Sequence, residues 1–143
     1  MSVDLQALYQ DVILDHTRRP RNYRVIEGAR QAERDNRVCG DRVTVYVRAE
    51  ADAILDVSFQ ASGCAIVKAS ASLMTEIVRG RTQAEANALG EQFHRMVMAP
   101  PGSAIDDLGA LTILAGVRRF PTRIKCATLP WEALRLAMAG QSE

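Results

Sequence analysis

The sequence has no excess of charge of either sign: 18 Lys and Arg stand against 17 Asp and Glu, a formal net charge of +1. A nucleic-acid binder usually carries a strong basic excess, because phosphate neutralisation drives its affinity, so the global balance gives no support for DNA or RNA as a partner. Long apolar runs are missing too, and the longest falls far short of the ~20 residues a spanning helix needs. The N-terminus carries Asp4, Asp11 and Asp15 where a secretory signal would have a basic region and an apolar run. Neither a membrane span nor export is expected, and a cytoplasmic location, where thiols stay reduced, follows as the expectation. Cysteine is scarce and odd in number: Cys39, Cys64 and Cys126, with no C-x-x-C pair. That argues against a disulfide framework. No Gly-rich phosphate loop, Ser-His-Asp pattern, H-E-x-x-H motif, internal repeat or low-complexity tract occurs.

What is present suits a folded chain. Hydrophobic residues make up 48% and charged residues 24% of 143 positions, enough for one domain spanning 1–143 and too little for a second. Basic residues cluster locally at Arg18-Arg19-Pro20-Arg21 and around Arg118, Arg119, Arg123 and Lys125. Such clusters are either solvated surface or a docking face for an acidic protein.

Leu5, Leu8, Tyr9, Val12 and Ile13 share one face at helical spacing, predicting a helix from Asp4 to His16 with Pro20 beyond its end. The polar stretch 28–36 reads as an edge strand or a loop. Val43, Val45 and Val47 alternate with polar neighbours. Leu55, Val57, Phe59 and Ala61 alternate likewise against Ile54, Asp56, Ser58 and Gln60. Two strands joined by Glu50-Ala51-Asp52-Ala53 form an antiparallel hairpin on this reading. Ser62-Gly63 breaks the second strand. A helix marked by Ile66, Ala69, Ser70, Leu73, Met74 and Ile77 then ends at Arg79-Gly80. Thr82 and Glu85 make a capping box for the next helix, which stops at Pro100-Pro101-Gly102. Ser103 with Asp106 predicts another, ending near Gly116. Pro121 reads as loop, and a last helix follows Cys126, with Pro130 in its first turn and Leu134 and Met138 on one face. Strands early and helices late predict an α+β fold: a small three-stranded antiparallel sheet covered on one face by helices.

Each cysteine falls at a junction between elements on this reading, where sites are usually built. Cys39 precedes a strand, and Gly40 lets the chain turn so that the Cys39 thiol and Asp41 carboxylate point the same way. Cys64 opens a helix, whose N-terminal amides favour a thiolate. Three cysteines with Asp41 make up a four-ligand set for zinc. The same spacing also fits buried, inert cysteines, a common fate of free Cys. His16 and His94 are alternative ligands, though neither stands beside a cysteine, and both suit a surface or hydrogen-bonded helix position better. Trp131 and the Met residues read as core, and Glu76 and Glu85 as solvent-facing.

At these cysteines the chain resembles a known family. The matching segments are Leu8-Tyr9-Gln10-Asp11-Val12-Ile13-Leu14-Asp15-His16, Pro20-Arg21-Asn22, Cys39-Gly40-Asp41-Arg42, Gly63-Cys64-Ala65-Ile66 with Ala69-Ser70-Ala71-Ser72, and Arg123-Ile124-Lys125-Cys126-Ala127-Thr128-Leu129. Together they resemble the SufU-type zinc-dependent sulfurtransferases of the U-type (NifU N-terminal) iron–sulfur assembly superfamily, over nearly the whole chain. The resemblance implies a SufE/NifU-like fold and zinc (Zn2+) bound by Cys39, Asp41, Cys64 and Cys126. It implies that Cys39 receives persulfide sulfur, that Arg123 supports the site, and that the donor is a pyridoxal-phosphate (PLP-dependent) cysteine desulfurase of the SufS type. Docking would free Cys39, with a desulfurase histidine taking its place, and the sulfur would pass to a downstream cluster scaffold. Relatives in the scaffold branch carry His before the last cysteine, where this chain has Lys125. They also carry Leu-Pro-Pro-Val-Lys, unlike Phe120-Pro121-Thr122-Arg123-Ile124. The stretch 80–101 looks like the insertion of the SufU branch. These departures favour the sulfur acceptor. A scaffold for [2Fe–2S] clusters and a closed structural zinc module stand as the alternatives.

Overall fold

The computed structural model describes residues 5–104 and 107–140, with residues 5–10 described by backbone only. Helix α1 spans Leu5–Arg18, followed by strands β1 (Arg30–Asn36), β2 (Asp41–Glu50) and β3 (Ala53–Ser62). Helices α2 (Ala65–Val78) and α3 (Gln83–Met98), a 3-10 helix over Gly109–Arg119, and helix α4 (Pro121–Met138) complete the chain. The sheet is an antiparallel meander in the order β1-β2-β3. This is the expected α+β architecture. Among the described residues no helix is long and apolar enough to cross a membrane.

The core lies between one sheet face and the helices α2 and α4. Val43, Val45, Val47, Val57 and Phe59 are fully buried on that face, as period-two patterning demands. Helix α2 packs in the middle, and its buried set runs without a gap from Ala69 to Thr75. A helix apolar nearly all round belongs inside. In α1, Ile13 is buried and Val12 half-buried, whereas the expected face positions Leu5, Leu8 and Tyr9 have side chains outside the described residues, as does Asp4. Strand β1 resolves the open reading of residues 28–36. Only Ala32 is buried there, and the charged neighbours Arg30, Glu33 and Arg34 suit a sheet edge that must not recruit other strands. Beyond β3, the other edge is covered by the chain at Asn22–Arg24, through Phe59 N–H to Asn22 O (3.0 Å) and Arg24 N–H to Phe59 O (3.1 Å).

Four expectations need correction. Leu55 does not share the buried face with Val57 and Phe59; it is 48% exposed, and Ile54 is buried instead. The ladder pairs Arg48 with Asp56 and Ala49 with Ile54, leaving Leu55 as an unpaired bulge residue. One inserted residue reverses the alternation at the hairpin end. The segment expected as a helix from Ser103 is 3-10 in form and begins at Gly109; Asp106 lies outside the described residues. Ser103 instead closes a turn on Pro100 O, through N–H (3.0 Å) and Oγ (2.7 Å). Leu111, Leu114 and Val117 are buried at a spacing of three, which stacks side chains on one line of a 3-10 helix. Pro121 is the first residue of α4, not a loop residue, and Pro130 lies inside that helix. Proline is favoured at a first helical position, since its missing N–H would be unpaired there anyway. Met98, read as core, is 57% exposed, whereas Met74, Met96, Met138 and Trp131 are buried. The Trp131 ring stacks on Phe93 with centroids 5.4 Å apart, holding α3 against α4.

The capping box at Thr82 and Glu85 forms as expected, through Thr82 N–H to Glu85 Oε1 (2.9 Å) and Glu85 N–H to Thr82 Oγ1 (3.0 Å). His16 is buried rather than metal-facing. Its Nδ1 lies 2.7 Å from Ser72 Oγ, which also accepts the Arg21 N–H at 2.9 Å. We assign the Ser72 hydroxyl as donor to Nδ1, which leaves Nε2–H towards Glu76 Oε1 at 3.9 Å. Burial, with the charge of Arg21, lowers the His16 pKa. A histidine buried neutral favours folding above its unfolded pKa of ~6.5 and loses that contribution as pH falls through the folded value. Metal-free wild type is therefore expected to lose more stability than metal-free His16→Gln between pH 7.5 and 5.5, measured as urea midpoints. Equal losses would remove His16 from this role.

Candidate metal centre

The fold brings the expected residues together at one end of the sheet. The β1–β2 hairpin loop, residues 37–40, carries Cys39 at its tip, and the register resumes with Asn36 opposite Asp41. Gly40 sits at φ +72°, the left-handed conformation that turns the chain back into β2. Asn36 Oδ1 accepts the Val38 N–H (3.2 Å) and ties the loop. The Cys39 thiol, half-buried, reaches Thr122 O in the first turn of α4 at 3.8 Å.

Asp41 is the hub. Its carboxylate is 1% exposed, an arrangement tolerated only when both oxygens are engaged. Oδ1 accepts the Cys64 N–H at 2.9 Å, where Cys64 is the N-cap residue of α2. Oδ2 lies 2.8 Å from Cys126 Sγ and 3.9 Å from Cys64 Sγ. Gly63 permits this approach. It adopts φ +126°, and a Cβ there would overlap Asp41 Oδ1 and stand 2.9 Å from Asp41 Cα. Gly63→Ala is therefore expected to lose about 1–3 kcal/mol through backbone strain alone and to push Asp41 off the Cys64 amide. Urea midpoints and metal stoichiometry read the two effects; wild-type values in both would contradict this close packing.

Cys126 is buried and is the sixth residue of α4, so it does not open the helix as its spacing from Pro130 suggested. Pro130 has no N–H to give the Cys126 carbonyl, and one turn earlier Thr122 O receives the Cys126 thiol at 3.6 Å. Burial, with the facing Asp41 and Cys64, pushes the Cys126 thiol pKa well above its usual range. In the metal-free chain this thiol keeps its proton, and metal uptake must displace it. Arg123 is exposed near the start of α4. Electrostatic interaction with Cys64, foremost, and with Cys126 raises its pKa further.

Cys39 Sγ, a carboxylate oxygen of Asp41 and Cys126 Sγ all lie within 4.8 Å of one another. Cys64 falls outside that tight set but touches it through Asp41. Ligands at ~2.3 Å (sulfur) and ~2.0–2.2 Å (oxygen) from a tetrahedral zinc stand roughly 3.5–3.8 Å apart, so small movements would gather all four. Thiolates with one carboxylate are a donor set that zinc accepts, and thiolates equally suit iron. A polar recess of about 380 Å³, lined by Asn36, Arg37, Gly40, Asp41 and Ser62 among others, lies on the Asp41 side of the cluster. His94 is exposed on α3 and, like His16, is absent from the cluster. Sequence reasoning missed the Thr122 carbonyl, a backbone group without a side-chain signature. It also missed the steric role of Gly63, whose one trace was its place before Cys64.

The NifU-like N terminal domain model matches residues 8–127. The chain is 40% identical over 134 residues to the iron–sulfur cluster assembly scaffold protein IscU of Streptococcus pyogenes serotype M1, covering 94% of this chain and 84% of that one. It is 37% identical over 140 residues to the zinc-dependent sulfurtransferase SufU of Bacillus subtilis, covering 98% and 95%. A solved structure from Fervidobacterium islandicum AW-1, described as an iron–sulfur cluster assembly scaffold for the SUF system, superposes with a TM-score of 0.84 at 34% identity. That superposition covers 93% of this chain and 98% of the other.

Proposed function

The chain belongs to the NifU-like N-terminal domain family of iron–sulfur cluster assembly, and from that membership we propose that it is a zinc-dependent sulfur acceptor, taking persulfide sulfur from a cysteine desulfurase. The observation that carries this reading is the unequal mounting of the three thiols. Cys126 is buried inside a helix, and Cys64 is fixed by its own N–H to Asp41. Cys39 rides on a hairpin tip, held to the body of the protein by one long contact with Thr122 O, whereas Cys64, equally half-buried, is anchored through its backbone. A closed structural module would anchor all three alike.

Asp41, Cys64, Cys126 and Cys39 would hold the zinc, which when bound keeps thiols deprotonated near neutral pH, where a free thiol of pKa about 8.5 is mostly protonated. The Cys39 thiolate attacks the terminal sulfur of the donor persulfide. A new S–S bond forms on Cys39, the donor S–S bond breaks, and the donor cysteine leaves as thiolate with the electron pair. No external oxidant or reductant is needed. Asp41 stays put through the Cys64 N–H on its Oδ1, which needs no thiol proton, and Arg123 supplies positive charge that favours the remaining thiolates. The PLP-dependent desulfurase of the SufS type and a downstream scaffold are the partners on this reading.

The second reading, a scaffold that assembles [2Fe–2S] clusters, is favoured by the same thiolate set and by the IscU relatives. Metal analysis of protein as purified separates the two. Sulfur acceptance predicts colourless protein with one zinc per chain. Brown protein with stoichiometric iron would support the scaffold.

A further inference from the structure

Seven large apolar side chains are exposed among the described residues, and the two most exposed are Val38 (86%) and Phe120 (59%). They are far apart in sequence, and each is a near neighbour in the chain of one side of the Cys39–Thr122 contact. Val38 precedes Cys39, and Phe120 is the N-cap residue of α4, two residues before the Thr122 carbonyl that accepts from the Cys39 thiol. Folding gains nothing by presenting these two side chains to water at the mouth of the site. Hairpin loop 37–40 and segment 117–125 also carry Arg37, Arg118, Arg119, Arg123 and Lys125 and no carboxylate, in a chain whose total charge is +1. Arg118 is engaged with Ser103, and Arg37, Arg119 and Lys125 are exposed. The basic cluster noted in the sequence thus lies on the same two segments as the apolar pair and the Cys39 thiol.

We infer that Val38 and Phe120, rimmed by Arg37, Arg119 and Lys125, are the anchors that seat the sulfur donor over Cys39, and that the donor presents an apolar cleft edged with carboxylates. This rests on the proposed sulfur acceptance and specifies its partner. Apolar anchors that exclude water govern how long a complex lasts, whereas rim charges govern how fast it forms. The two halves of the surface therefore separate kinetically.

The test measures association and dissociation rates of the full-length chain with a SufS-type desulfurase at low and moderate salt. Metal content and iodoacetamide alkylation of Cys39 are followed in parallel. Val38→Ser with Phe120→Ser is expected to raise Kd at least tenfold, mainly through faster dissociation, with metal content and alkylation unchanged. Both side chains are exposed, so the variant loses no core, and single substitutions serve as a check on folding. Arg119→Glu with Lys125→Glu is expected to slow association and flatten its salt dependence. Wild-type rates in the serine variant, or no complex with the wild-type chain, would overturn the docking surface. Binding that these substitutions weaken, without sulfur reaching Cys39, would retain the surface and sink the acceptor reading. Sulfur transfer at wild-type KM in the serine variant would do the reverse.

Discussion

Cys39→Ala is expected to reduce sulfur acceptance, and any stimulation of the desulfurase, to the background seen without the protein, while the fold survives. The thiol lies on a hairpin tip and its one polar contact, with Thr122 O, is long. Removing it leaves no buried polar group unpaired, so the stability cost is small. Cys64 and Cys126 do not substitute for it. Cys126 is inaccessible, and Cys64, though half-buried, is held at the α2 N-terminus against Asp41 by its own N–H. Desulfurase turnover with labelled cysteine measures the effect. A variant that still carries label, or still accelerates turnover normally, would place the accepting atom elsewhere.

Asp41→Ala is expected to damage both the metal site and the scaffold that presents it. The part-buried Cys64 N–H loses its acceptor, costing up to about 1–3 kcal/mol to the extent that water does not replace it. The proposed ligand set loses its anionic oxygen, and zinc affinity should fall on the order of 100-fold or more, beyond what supporting residues contribute. Asp41→Asn separates the effects. The amide oxygen can still accept from Cys64, so stability should largely return, while the missing charge keeps zinc weak. Zinc competition assays and urea midpoints on both variants distinguish them. Wild-type zinc affinity in Asp41→Asn would remove the carboxylate from the ligand set.

Much of this centre was legible because short-range signals carried it. Gly40 between Cys39 and Asp41 forced a turn, and Gly63 before Cys64 marked the strand-to-helix break that Asp41 fills. Their convergence with Cys126, which lies 85 residues from Asp41, came only from the family likeness. Local patterns misled where a residue allowed two roles. Pro130 resembled a helix start, since proline suits a first turn, but Pro121 takes that place and Cys126 moves inward. Leu55 and Ile54 exchanged faces because a bulge inserts a residue that no alternation can announce. The 3-10 form over Gly109–Arg119 follows from a three-residue burial period, hard to tell from helix over so few turns. Val38 and Phe120 gave no warning, since exposure depends on what the rest of the chain fails to cover.

The unequal footing of the three thiols is tested most directly by mass spectrometry of the peptides after brief incubation with desulfurase and cysteine, before any reductant is added. The peptide containing Cys39 should be heavier by one sulfur atom, and those containing Cys64 and Cys126 unchanged. Added sulfur on Cys64 or Cys126, or on none of the three, would contradict the account.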